Sequence, residues 1–456
     1  MPEERDDTIQ PDGPVASALP PEAVAERSRR RAWVTLLASA CFVVILSSTA
    51  CSLLMRSSSR EARIRSLSDV SRLEGEPDIR IRIESLVEGI DLKGAALTEG
   101  GVPVLPGRIV RSDSGWRIQP SGPEGAVQAF GGDELTLVPG ADGLIRIGEW
   151  TVRGRVCLDP RPDLSPGIFD IIEYIPVEQY LPGVLAREFY ASWSLDAFKA
   201  QAIAARSYAL HERLRRLSIG SHFDVEATTR DQVYGGITDN ETAIRAVRET
   251  SGIVLVTEGH ILRAYYSSTC GGRPASAADT WPTGPGFEYN LDRPLQAASR
   301  DHYCQFSPLH EWRVERSLDD LSRRFRVYGR EHGLGMKRLT GIRSITVARH
   351  NGAGRPSHFK VTDTSGESWE YSGETIRLAC NDGTDKTLPG ITRDTRVHSS
   401  DCTFEVRGNR VVITGRGFGH GVGLCQYGAE GMSRAGLDAG AIILSFYPGA
   451  TLQRAY

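Results

Sequence analysis

The chain lacks the marks of several function classes. No long basic stripe interleaved with aromatics occurs, and a formal charge of -3 with a pI near 6.4 argues against a nucleic-acid partner. No C-x-x-C pair is present, so spacing gives no support to a structural zinc site. There is no internal repeat. The one glycine-rich run, Gly415 to Gly423, lacks the third glycine of a dinucleotide fingerprint in every register, and no Gly-Lys-Ser/Thr of a P-loop is found.

What is present exceeds one ordinary domain: 456 residues predict two folded units plus a tail. Residues 1–26 are acidic, Pro-rich and without apolar periodicity, which reads as a disordered tail. Arg27, Arg29, Arg30 and Arg31 then precede an apolar run from Trp33 to Met55, long enough to span a bilayer. The positive-inside rule puts residues 1–32 in the cytoplasm and everything after Arg56 outside. A single-pass anchor over 33–55 is the expectation. Ser48-Thr49-Ala50-Cys51 leaves a lipoprotein or a cleaved, secreted form as alternatives, and Ser28-Arg29-Arg30 hints at a twin-arginine signal. Export permits disulfides among Cys157, Cys270, Cys304, Cys380, Cys402 and Cys425. Cys380 and Cys402 flank a polar loop and are expected to form a bridge.

The predicted fold class is α+β: a small N-terminal β unit and a mixed helix/sheet catalytic domain, preceded by one transmembrane helix. Residues 56–76 read as a linker. Ile79, Ile81 and Ile83 alternate with charged residues as in a half-buried strand, and short apolar runs continue through a β-rich region over 77–158. In the unit over 159–456 the period becomes helical, first over Val177 to Phe189 and then from Ser194, with Leu195, Phe198, Ala202, Ala205 and Ala209 on one face. A helix near Glu241 to Thr250, a strand over Gly252 to Val256 and a strand ending at Tyr266 to Gly272 follow. The stretch to about Tyr328 reads as less ordered with one helix. Strands are expected near 345–347, 359–361, 403–406 and 411–414, then a Gly-rich loop, a helix from about Leu424 to Arg434 and a last helix ending near Phe446.

Glu188 is the residue of greatest chemical interest. Leu181, Val184, Leu185 and Glu188 fall at i, i+3, i+4 and i+7, which points a carboxylate along an apolar helix face. Desolvation there raises its pKa toward neutrality, as a proton donor to a leaving group requires. A helix-end ion pair with Lys199 or Arg206 is the structural alternative. The second signal is Gly417-Phe418-Gly419-His420-Gly421-Val422-Gly423, where alternating glycines let a backbone pass close to another surface while presenting one imidazole at a helix start. Taken alone, such a loop reads as a tight turn with a locally bonded His.

Separate stretches agree with one family. Tyr180-Leu181-Pro182-Gly183-Val184 with Glu188, the segment Ala197 to Tyr208, Asp231-Gln232-Val233-Tyr234-Gly235-Gly236, and the closing run Gly417 to Ala429 with Tyr447-Pro448-Gly449 together resemble the stage II sporulation protein D (SpoIID)/LytB domain. The resemblance covers about Val177 to Leu452. It implies a bacterial cell-wall protein, sporulation being one setting, that cleaves peptidoglycan glycan strands by lytic transglycosylation with Glu188 as the single catalytic acid/base and no cofactor. Asp196 is explained as a first-turn helix residue. Lys199, Gln201, Arg206, Tyr208, Tyr234, Tyr266, Ser268, Trp281, His420 and Gln426 are the candidates for substrate binding, each with a core or surface role as its alternative. His420 and Gln426 are stronger as a pair.

The chain also departs from the family. Ser267 stands where members often carry His, and Phe223 to Gln232 lacks the Cys pair that some members use around a metal. Cys270, Cys304 and Cys425 lie in three motif regions expected to converge, where a disulfide is favoured over a metal site. Two rival functions remain: a non-catalytic peptidoglycan-binding module that enhances a cell-wall amidase, and a thiol hydrolase using Cys270 or Cys425 with His420. Expected partners are glycan strands, the bacterial cytoplasmic membrane through the N-terminal helix, and an amidase or other cell-wall hydrolase.

Overall fold

A computed structural model describes residues 73–120, 125–298 and 302–456. The mixed helix and strand content agrees with the expected class, but the single-pass assignment has to be corrected. Among the described residues no helix is long and apolar enough to cross a membrane, and residues 33–55 lie outside them, so the anchor has no structural support.

The alternation of Ile79, Ile81 and Ile83 produces the strand Asp78–Val87, with these three side chains buried and Arg80 and Arg82 on its other face, paired with Asp224, Asp170 and Glu226. It pairs antiparallel with Phe169–Pro176, Ile79 opposite Ile175, and parallel with Val225–Glu226, inside a seven-stranded sheet. A six-stranded sheet packs on it, and Trp116 meets Phe169 edge-on at 5.0 Å where the two layers touch. The strand Phe169–Pro176, on the far side of residue 158, is thus central to the N-terminal sheet.

The chain passes from that strand straight into helix α1 (Val177–Glu188), which buries Val177, Tyr180, Leu181, Val184 and Leu185. Helix α2 (Leu195–Ser218) is sheathed on nearly all sides, and its buried Ala197, Ala200, Ala202, Ala204, Ala205 and Ala209 let neighbouring elements approach the backbone closely. Helix α3 (Glu241–Glu249) starts at Asn240, whose side chain accepts the Ala243 N–H. The strand Ile253–Thr257 then pairs with His260–Ile261 and with the C-terminal Thr451–Arg454.

The region read as less ordered contains a one-turn α4 (Ala277–Thr280), the strand Glu311–Ser317 and α5 (Leu318–Glu331). That strand buries alternate residues Trp312, Val314 and Arg316. With the Cys402–Arg407 and Arg410–Arg416 strands, a second three-stranded sheet and α6 (Gly373–Cys380), it encloses a core of its own. The expected Cys380–Cys402 bridge is absent: both side chains are buried in this second core and neither is disulfide-bonded. Burial pushes the Cys380 thiol up to about 12. From the second core the chain returns through the Gly-rich loop to α7 (Gln426–Arg434) and α8 (Ala439–Phe446), which pack on α2.

Candidate active site

Glu188 is the last residue of α1. The helix can come close to the segment following Val233 because Gly183 faces it: a Cβ there would lie 2.2 Å from the Gly236 carbonyl oxygen and 2.6 Å from the Tyr234 ring. Glu188 is half-buried, and desolvation raises its pKa to about 7, offset in part by the Gln426 side chain and by a backbone hydrogen bond from Val233. Gln426 Nε2 donates to Glu188 Oε2 at 2.8 Å. At neutral pH the carboxyl is therefore divided between its acid and its base form.

The Gly-rich loop reaches this carboxylate by lying along the strand Tyr266–Ser267. Tyr266 pairs with Leu424 and Ser267 with Cys425 in parallel register, and Thr269 bridges Phe418. Gly417, Gly419, Gly421 and Gly423 all have positive φ, from +70° to +93°, which accounts for the glycine at every second position. At Gly423 space is also closed, since a Cβ would sit 2.0 Å from the Tyr265 carbonyl oxygen. Gln426 is thereby delivered as the first residue of α7.

His420 is bonded within the loop and its neighbours. Its Nδ1 accepts the Val422 N–H at 3.1 Å, the ring bonds the Tyr266 backbone, and Trp281 packs against it with ring centroids 4.9 Å apart. Desolvation lowers its pKa to about 4, so the imidazole is neutral. Trp281 also stacks on Tyr265 at 4.1 Å.

The remaining candidates divide by environment. Tyr266, whose hydroxyl accepts from Gln232 Nε2 at 3.0 Å, and Tyr180 both feel the Glu188 charge, which helps to push their phenols up behind the larger effect of burial. The Ser268 backbone carbonyl accepts the Tyr427 N–H at 3.0 Å and so holds the start of α7. Lys199 pairs with Glu249 at 2.6 Å and ties α2 to α3. Arg206 is fully buried, with its guanidinium on both Glu178 oxygens at 2.9 and 2.7 Å. Tyr208 donates to Asp231 Oδ1 at 2.9 Å inside a buried network with Arg263. Tyr234 is buried between Tyr180 and Trp150. Gln201 is fully buried with neither amide atom paired. In the segment 223–232, Asp224 holds Arg80 and Glu226 holds Arg82. Those carboxylates are committed to guanidinium groups and do not fit a cation.

An aromatic rim went unread in the sequence. Tyr190, Trp193, Tyr427 and Phe306 stand in a row, with ring centroids 5.3, 5.0 and 5.3 Å apart in that order, Tyr190 and Phe306 being exposed. The signal was adjacency: Tyr190 follows Glu188 by two positions and Tyr427 follows Gln426 by one. Exposed rings beside a carboxylic acid suit a sugar face.

The three cysteines of the motif regions do converge. Cys270, Cys304 and Cys425 are buried with their sulfurs within 4.8 Å of one another, yet none is disulfide-bonded, contrary to the favoured expectation. Burial and the neighbouring thiols push the Cys425 thiol well above its ordinary value. That is the reverse of an activated nucleophile, and His420 is bonded elsewhere, so the thiol-hydrolase reading loses its basis.

Comparison with known proteins bears on this arrangement. Residues 166–256, which include Glu188, match the family described as Stage II sporulation protein (SpoIID). An uncharacterized protein of Brachyspira hyodysenteriae is 28% identical over 283 residues, 62% of this chain and 68% of the relative. The amidase enhancer of Bacillus subtilis is 28% identical over 298 residues, 60% of this chain but 40% of its own length. Stage II sporulation protein D of Bacillus subtilis is 26% identical over 302 residues, 62% of this chain and 76% of that protein. On these matches the chain carries a domain of the SpoIID family, the family of the stage II sporulation proteins.

Proposed function

We propose that the protein is a peptidoglycan lytic transglycosylase in which Glu188 is the only acid–base group. The observation that carries this reading is a half-buried carboxyl with a pKa near 7, one oxygen held by Gln426 Nε2 at 2.8 Å. Glycosidases that use water ordinarily employ two carboxylates. Three other carboxylates of this unit are placed differently: Glu173 is fully buried with one oxygen accepting the Gly154 N–H, Asp231 holds the Tyr208 hydroxyl, and Glu430 holds the Ser194 hydroxyl and N–H.

One carboxyl suffices when the nucleophile is intramolecular. The C6 hydroxyl of N-acetylmuramic acid attacks its own C1 as the glycosidic C1–O bond breaks. Glu188 gives its proton to the leaving oxygen and then takes the proton of the attacking hydroxyl, so no water is consumed and the enzyme returns to its starting form. Gln426 orients the carboxyl, and the Tyr190–Trp193–Tyr427–Phe306 rim supplies faces on which sugar rings stack.

Incubation of the protein with purified glycan strands, followed by mass spectrometry, tests the assignment. Products ending in 1,6-anhydro-N-acetylmuramic acid are expected, and Glu188→Gln is expected to lower their yield by on the order of 10²- to 10⁴-fold. Reducing ends formed by hydrolysis overturn it. The similarity to an amidase enhancer favours one alternative, a module that stimulates a cell-wall amidase without cutting glycan. In that case no anhydro product forms, and amidase stimulation survives Glu188→Gln.

A further inference from the structure

Cys270 lies just beyond the strand Tyr266–Ser267, Cys304 in the stretch before the strand Glu311–Ser317, and Cys425 at the cap of α7. They are 3%, 1% and 1% exposed, and the mechanism uses none of them. Cys270 Sγ and Cys304 Sγ are 4.0 Å apart, and His310 Nδ1 stands 3.7 Å from Cys304 Sγ. A disulfide needs about 2.05 Å between sulfurs. Around one tetrahedral zinc ion, with bonds of about 2.3 Å to sulfur and about 2.05 Å to nitrogen, two sulfurs sit roughly 3.8 Å apart and a sulfur–nitrogen pair roughly 3.6 Å. These two spacings are near the second pattern, and the three sulfurs lie within 4.8 Å of one another with His310 at the edge of the group. A trio also leaves one thiol over if any two are joined.

The surroundings fit a thiolate centre. Two backbone donors, the N–H groups of Cys270 and Gly428, reach Cys425 Sγ at 3.3 Å each, and Cys425 caps the positive end of a nine-residue helix. The group that comes together contains no carboxylate, which disfavours hard cations such as magnesium or calcium.

We propose that Cys270, Cys304 and Cys425 bind one zinc ion as thiolates, with His310 on the Cys304 side as the fourth ligand. Binding releases three thiol protons to solvent and leaves the centre with one net negative charge. A closed set of four protein ligands keeps no position open for substrate, so the ion is structural. Its consequence is positional: it fastens the segment of Cys270 and the residue before Gln426 to a third part of the chain. The side chain that holds Glu188 is thereby fixed at its root.

The test is elemental analysis of the full-length protein purified without chelator, followed by reconstitution of the stripped protein with zinc or cobalt(II). One zinc per chain is expected, together with the intense visible absorption of tetrahedral thiolate-bound cobalt. Cys425→Ser should lose the metal, and His310→Ala should retain it with weakened affinity. Because the first readout is made on the unaltered protein, a variant that fails to fold does not decide the matter. A disulfide peptide joining any two of the three cysteines, absence of metal after zinc reconstitution, or full zinc retention in a folded Cys425→Ser protein overturns the proposal. None of these readouts depends on glycan cleavage, so the metal site and the transglycosylase reading fail separately.

Discussion

Glu188 titrates near neutrality because burial disfavours its charged form more than Gln426 and Val233 favour it, and this fixes the sign of two pH effects. In the proposed mechanism cleavage needs the acid form, so the rate should fall as pH rises through about 7. Stability follows the same proton. Below about 4.3 the carboxyl is protonated in both folded and unfolded chains. Between that value and about 7 the unfolded chain releases its proton while the folded one keeps it, so stability declines, and above about 7 the loss is complete. Glu188→Gln has no such loss. The variant should exceed the unaltered protein in unfolding free energy at pH 8 by on the order of 1–2 kcal/mol, once screening by partial exposure is counted, and match it at pH 4, as read by chemical denaturation. An equal difference at both values would refute the desolvated carboxyl. Gln426→Leu removes a donor to the charged form, which should move the alkaline limb of the rate profile up by about one unit while lowering the maximum. A purely structural role for Gln426 would lower the rate without moving the limb.

At the scale of elements, the loop carrying Gln426 depends on glycines in a conformation other residues enter at a cost. Gly423→Ala meets both the positive φ and the Tyr265 carbonyl, so a loss of about 2–4 kcal/mol is expected in chemical denaturation, with activity reduced in the fraction that stays folded. Much of this was legible in advance. The i, i+3, i+4, i+7 spacing placed Glu188 at the end of a short helix, and the alternating glycines announced a backbone threaded against another surface. Elements with strong period, α1, α2 and the terminal helices, were read nearly to their ends. The strand Glu311–Ser317 was not, because Arg316 occupies an inward position and its partner strand Arg410–Arg416 lies far along the chain. Lys199, Arg206 and Tyr208 looked like cleft residues for a related reason: a helix buried on nearly every side gives no polar face by which to sort its own ion pairs from its ligands.

At the scale of the whole molecule, what the sequence concealed is the distance the chain travels. The carboxyl and the amide that orients it are separated by 238 residues, and between them lies a complete second core with its own sheets and helices. The hydrogen bond at the centre of the site is a contact of long sequence separation, so it is expected to close late in folding. A refolding chain should regain its helical signal first and its ability to cut glycan afterwards, with the two time courses separable by stopped-flow circular dichroism and product sampling. Coincident recovery would mean that the long loop closes early. On the proposed reading, a blade for the cell wall is thus left unsharpened until the whole chain has been put together.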